Sequence, residues 1–135
     1  MKNVDECYIE LLQHAATAQE NAYSPYSKYK VGAALITKSK KIIVGSNVEN
    51  ASYGLTICAE RSAIFSAISQ GTKPIDIVAI AISAGGVNFS PCGACRQVIY
   101  EMGSEIKVVF RFNGSIIIES IKNLMPYSFG DIYGK

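Results

Sequence analysis

Residues 75–83 read Ile-Asp-Ile-Val-Ala-Ile-Ala-Ile-Ser, a β-branched run with one charge, Asp76, near its start. A strand with one face in water alternates apolar with polar residues, whereas a strand covered on both faces is apolar almost throughout. The run is also far short of the roughly 18 apolar residues that span a bilayer. It predicts a strand buried on both faces, with packing layers on both sides. The rest of the chain has to supply those layers.

The flanking segments do so in alternation. Residues 5–22 place Ile9, Leu12, Ala15, Ala16 and Ala22 near helical spacing, until Ser24-Pro25-Tyr26-Ser27 interrupts. Residues 31–37 and 41–45 read as strands joined through Lys38-Ser39-Lys40, which lacks the usual Asn-Gly or Asp-Gly pair. A polar loop over 47–57 leads to a helix over 59–70. Its inner stripe is Ala63, Ile64, Ala67 and Ile68, and Gly71 and Pro74 stop it. After the loop at Gly85-Gly86, a helix over 93–102 closes near Gly103. Strands over 106–112 and 115–119 flank Asn113-Gly114, a strong hairpin signal, and a short helix over 119–124 precedes Pro126. The order α-β-β-α-β-α-β-β predicts an α/β layered sandwich with a mixed sheet of about five strands. At 135 residues, with no repeat or linker, 1–135 reads as one domain.

Charge narrows the partners. The formal net charge is +2, and the one basic cluster, Lys38, Lys40 and Lys41, falls on the expected hairpin turn. A nucleic-acid binder normally carries a basic face, so no nucleic-acid partner is expected. Hydrophobic residues make up 49% of the chain and charged residues 18%. That slight apolar excess reads either as a well-filled core or as surface buried between subunits. The start, Met1-Lys2-Asn3-Val4-Asp5-Glu6, has no apolar signal region, so a soluble cytoplasmic protein without a membrane partner is expected. Thiols stay reduced there, and clustered cysteines point to metal or catalysis.

Two segments carry the chemistry: Cys58-Ala59-Glu60 and Pro91-Cys92-Gly93-Ala94-Cys95. Together they offer three thiols near two predicted helix starts and one glutamate two positions after a thiol. A structural zinc site is closed by four protein ligands, while a catalytic one keeps its fourth position for water. The remaining donors, Cys7 and the sole histidine, His14, both sit on the first helix and read as ordinary helix residues. Three thiolates on a divalent ion leave an excess negative charge. Helix N-termini offset it, and Arg61 and Arg96 are candidate donors to sulfur, the alternative for each being surface charge. Glu60 then reads as a proton carrier rather than a ligand.

These segments resemble the cytidine deaminase family, in its small tetrameric three-cysteine zinc branch. The likeness covers nearly the whole chain. It includes Ala22-Tyr23-Ser24-Pro25-Tyr26-Ser27-Lys28-Tyr29, Val31-Gly32-Ala33-Ala34 and Asn47-Val48-Glu49-Asn50-Ala51-Ser52-Tyr53-Gly54. It continues through Cys58-Ala59-Glu60-Arg61, Ser90-Pro91-Cys92-Gly93-Ala94-Cys95-Arg96-Gln97 and Leu124-Met125-Pro126-Tyr127-Ser128-Phe129-Gly130. The resemblance implies a three-layer α-β-α sandwich and one zinc per subunit on Cys58, Cys92 and Cys95, with Arg61 supporting the thiolates. Hydrolytic deamination of free cytidine and 2′-deoxycytidine by zinc-activated hydroxide would follow, with Glu60 as proton shuttle, in pyrimidine salvage. It further implies that Asn47 and Glu49 bind the ribose, chiefly its 3′ hydroxyl. Tyr29 would line the base, and the backbone around Ala59 and Ser90 would contact the base edge. Phe129 and Tyr53 would act across interfaces of a homotetramer with its active sites between subunits.

The chain departs from the family pattern at Tyr29, often Phe, at Ser39-Lys40, commonly an acidic residue and Gly, and in its short ending, Asp131-Ile132-Tyr133-Gly134-Lys135. Competing readings are a deaminase of the nucleoside antibiotic blasticidin S, a polynucleotide deaminase, and a non-catalytic zinc module closed by a fourth ligand such as His14.

Overall fold

The computed structural model describes residues 4–86 and 88–130; the short ending from Asp131 lies outside them. The run at 75–83 becomes β3 (Ile77–Ala84), the middle strand of a five-stranded sheet. The sheet order is β2-β1-β3-β4-β5, with β1 at Val31–Thr37, β2 at Ile42–Ser46, β4 at Lys107–Phe112 and β5 at Ser115–Ser120. β1 pairs antiparallel with both β2 and β3, β3 pairs parallel with β4, and β4 pairs antiparallel with β5. The mixed sheet and the three α-β-α layers are those expected.

Large and small residues alternate along β3, and the alternation sorts the layers. Ile80 and Ile82 join the core beneath α2 (Ala59–Ser69) and α3 (Gly93–Met102). Ala79 and Ala81 face Leu11, Leu12 and Ala15 of α1 (Val4–Gln19) on the other side. Val78 alone among the inner residues of β3 stays exposed. Two glycines let the helices come close. A Cβ on Gly32 would lie 2.1 Å from the Ala15 carbonyl oxygen of α1, and one on Gly45 would lie 2.4 Å from the Ala63 nitrogen of α2. Each helix is thereby seated directly on a strand.

Helix registers differ in part from the sequence expectation. α1 ends at Gln19, so Ala22 lies beyond it; its buried face is Leu11, Leu12, Ala15 and Ala18, while Ile9 and Ala16 are exposed. In α2 the buried stripe is Ala63, Ile64 and Ala67, and Ile68 faces outward with Phe65. Pro74–Asp76 forms a 3₁₀ turn, which delays the start of β3. The β1–β2 turn manages without glycine: Lys40 adopts φ 71°, and the Thr37 hydroxyl accepts from the Lys41 N–H at 3.1 Å. Asn113 and Gly114 both have positive φ, as the β4–β5 hairpin requires. The short terminal helix is α4 (Ile121–Leu124). Among the described residues, no helix is long and apolar enough to cross a membrane.

The Gly45 contact yields a prediction. Gly45→Ala forces α2 away from β2 and destabilises the protein by about 1–3 kcal/mol, typical of overpacking. Denaturant unfolding measures it, and the zinc content of the purified variant falls with it because Cys58 directly precedes α2.

Candidate metal centre and pocket

Cys58 and Cys92 occupy equivalent places. Each is the residue just before a helix, in extended conformation (φ −72°, ψ 155° and φ −67°, ψ 166°), and neither thiol caps its own helix. Both sulfurs are therefore available to a common point outside the two helix starts. Cys95 lies three residues into α3, on the same side as Cys92, and is fully buried. The Cys58 and Cys92 sulfurs stand 4.0 Å apart, and all three sulfurs fall within 4.8 Å of one another. Tetrahedral zinc with bonds near 2.3 Å sets its sulfurs about 3.8 Å apart, so the donor set fits zinc. Among the described residues, no further Cys, His, Asp or Glu side chain completes the cluster. Cys7 instead borders a separate hollow with Tyr8, Ile36 and Val78, and His14 is exposed on α1.

Electrostatics at this point are those of a crowded anion site. An Arg61 Nη donates to Cys58 Sγ at 3.2 Å. The Cys58 thiol is drawn down to about 5, first by the hydrogen bond it shares with Cys95 and then by Arg61, against the opposing effect of burial. Cys95 is pushed up by the same shared hydrogen bond, by burial and by the Glu60 carboxylate. Arg61 is held all the more firmly charged, chiefly by Cys58. Arg61 Nε is buried with no hydrogen-bond partner. A guanidinium that leaves one donor unsatisfied is held there by attraction to the sulfurs. Arg96 does not join it: its Nε donates to the Pro91 carbonyl at 2.8 Å and its Nη to the Leu124 carbonyl at 3.0 Å. It fastens the second cysteine loop to α4.

A cavity of about 270 Å³ opens beside the sulfurs, near the lower limit of small-molecule sites, roughly 300–1,000 Å³. Cys58, Cys92, Ala59, Glu60, Ser90, Tyr29, Asn47 and Glu49 all line it. Glu60 sits in the first turn of α2 and is only 2% exposed. Burial pushes its carboxyl up, and the Cys58 thiolate adds to the effect; its own backbone N–H opposes it. Asn47 is buried and fixed: its Oδ1 accepts from the Val31 N–H and its Nδ2 donates to the Tyr29 carbonyl, both at 2.8 Å. Glu49 Oε1 accepts from the Tyr26 and Ser27 N–H groups at 3.0 and 3.1 Å, and Oε2 accepts from the Ser27 hydroxyl. The Tyr29 hydroxyl finds its partner in the Gly85 carbonyl at 3.1 Å.

Two of the sequence candidates lie elsewhere. Tyr53, 77% exposed, stacks edge-on against Tyr26 in a neighbouring groove, and Phe129, 65% exposed, is outside the cavity. The structure adds Ser27, Val31, Thr56, Ile57 and Phe89 to the cavity wall. Ser27 was in view within the Ser-Pro-Tyr-Ser segment. Phe89 was missed; its signal is an aromatic just before Ser90-Pro91-Cys92, and its N–H bond to the Arg111 carbonyl at 3.0 Å holds it in place.

Three sulfur donors beside an open, carboxyl-lined cavity suit a hydrolytic zinc centre better than a structural one, and the layered α-β-α frame presents it on two helix starts: the chain is a zinc hydrolase. Residues 5–111 match the family model of the cytidine and deoxycytidylate deaminase zinc-binding region, and the chain belongs to that family. A cytidine deaminase of Halalkalibacterium halodurans is 47% identical over 122 residues, 88% of this chain and 91% of its own. The solved structure of cytidine deaminase from Burkholderia pseudomallei superposes with a TM-score of 0.86 at 46% identity, covering 90% of this chain and 98% of that one. Blasticidin-S deaminase of Bacillus cereus is 32% identical over 134 residues, 94% of this chain and 95% of its own.

Removing the cation beside the sulfurs has a defined consequence. Arg61→Gln lowers zinc affinity about 10–100-fold with the fold retained, as loss of a supporting group does. Competition against a chromogenic chelator measures it, with circular dichroism as the check on folding.

Proposed function

We propose that the chain hydrolyses the 4-amino group of free cytidine and 2′-deoxycytidine, releasing ammonia and the corresponding uracil nucleoside. The observation that carries this reading is the placement of the buried Glu60 carboxyl in the same cavity as two of the three sulfurs. Zinc held by Cys58, Cys92 and Cys95 supplies the Lewis acid that makes water nucleophilic near neutral pH. Glu60 does the proton work. Its raised affinity for a proton lets it take one from water, hand it to N3 of the base and carry a second to the departing amine. Ala59 and Ser90 offer backbone groups at the base edge, and the Tyr29 ring gives the flat base an apolar wall.

Counting hydrogen bonds supports the sugar end of this reading. A carboxylate has about four acceptor sites and an amide two donors and two acceptors. Glu49 has three of its sites filled, and Asn47 has one donor and one acceptor used. A single hydroxyl, donating to Glu49 and accepting from Asn47, satisfies both. One hydroxyl read in this way, the 3′, accommodates ribose and deoxyribose alike. It also favours an unblocked nucleoside over the modified sugar of blasticidin S. Free-nucleoside deamination belongs to pyrimidine salvage. The unoxidised thiols such a centre needs suit a cytoplasmic setting.

We also propose a homotetramer with active sites at its interfaces. Tyr53 and Phe129, together with Leu55, Phe65 and Ile68, are large apolar side chains left exposed outside the cavity, as interface residues of a single subunit are. Sedimentation at micromolar concentration is expected to give a species of four chains.

Purified protein incubated with cytidine is expected to lose the absorbance of the amino-pyrimidine and release ammonia; a chelator stops both, and added zinc restores them. Glu60→Ala is expected to keep its zinc and its melting temperature while kcat falls at least ~10²–10⁴-fold, the scale of a lost general acid–base. Near-normal turnover in that variant would remove Glu60 from the mechanism. Faster turnover of blasticidin S than of cytidine would overturn the substrate.

A further inference from the structure

Ser27 joins two parts of the cavity that the cysteine segments do not touch. Its hydroxyl donates to Glu49 Oε2 and accepts from the Tyr29 N–H at 3.0 Å. Its own backbone N–H, with that of Tyr26, donates to Glu49 Oε1. The Tyr29 carbonyl in turn accepts from Asn47. One hydrogen-bonded chain thus runs Glu49–Ser27–Tyr29–Asn47 along the wall where the sugar is placed. The turn that presents Ser27 is closed by Lys28 in left-handed conformation, φ 62°, with the Lys28 N–H on the Ser24 carbonyl at 3.0 Å.

Glu49 is on a loop that lines the cavity, with no ion pair among the described residues to fix it. A glutamate with three rotatable bonds in such a place samples many positions, and ordering it on binding costs affinity. The three donors from Tyr26 and Ser27 remove that freedom beforehand. They also leave one acceptor site, so the carboxylate receives one hydroxyl and not two.

We propose that Ser27 is a positioning residue for sugar recognition. Through its side-chain hydroxyl it holds Glu49 in the orientation that reads one ribose hydroxyl. This rests on the assignment of Glu49 and Asn47 to the sugar. The backbone donors alone reach only Oε1, so the hydroxyl is what fixes the carboxylate plane. Ser27 is exposed, and its replacement opens no core cavity.

The test compares wild type, Ser27→Ala and Ser27→Thr on deoxycytidine and on 2′,3′-dideoxycytidine, which lacks the hydroxyls Glu49 would read. In Ser27→Ala, KM for deoxycytidine is expected to rise roughly tenfold, the scale of a hydrogen bond to a charged group, with kcat within about twofold of wild type. On dideoxycytidine the wild type and Ser27→Ala should have the same KM, and Ser27→Thr, which retains the hydroxyl, should restore KM for deoxycytidine. An equal rise in KM on both substrates, or none on deoxycytidine, overturns the role of Ser27. A wild type that does not distinguish the two substrates overturns instead the assignment of Glu49 to the sugar. Zinc content and melting temperature, unchanged in Ser27→Ala, separate either result from a folding defect.

Discussion

Three sulfurs held within 4.8 Å of one another, one of them already drawn toward the thiolate form, repel unless positive potential surrounds them. In this protein that potential comes from two helix N-termini meeting at one point and from Arg61 reaching back over the first of them. Much of the architecture serves that meeting. α2 arrives from β2 and α3 from β3, and both lie on the same face of the sheet. Gly45 lets α2 rest on β2, while Arg96 ties the loop before α3 to α4. The alternation of Ile and Ala in β3 leaves the bulkier core on the face that carries the metal helices.

The cavity divides its work between two kinds of groups. Near the sulfurs sits one buried carboxyl whose environment favours the protonated form. Elsewhere in the wall sits another, Glu49, whose hydrogen bonds with Ser27 and the backbone N–H groups lower its affinity for a proton. Two glutamates eleven positions apart in sequence are thereby separated in chemistry, one suited to exchanging protons and the other to remaining an anion.

Much of this was legible before the fold was seen. The run at 75–83, with its single charge, announced a strand buried on both faces, and the two cysteine segments, each at an expected helix start, come together. What escaped depends on contacts between distant segments. The buried face of α1 is turned because Ala79, Ala81 and Gly32 demand a close approach through Leu11, Leu12 and Ala15, and helical spacing alone admits either face. Arg61 lies three residues after the cysteine that precedes its helix and Arg96 four after its own, so Arg96 is turned by about 100° around the helix axis and meets the Pro91 and Leu124 carbonyls instead. The Tyr29 hydroxyl, which the family's usual Phe lacks, donates to the Gly85 carbonyl 56 residues away, a partner that local sequence does not reveal.

The uneven exposure of the three sulfurs also bears on chemical durability. Cys95 is enclosed, but Cys92 stands at the surface with its sulfur 4.0 Å from that of Cys58, whose thiol ionises readily. A metal on these atoms occupies the electron pairs an oxidant would attack. Once it is stripped, peroxide or air converts the exposed Cys92 and the half-buried Cys58 toward sulfenate and disulfide, products that no longer accept the ion. Withdrawal of zinc is thus easily reversed only under reducing conditions.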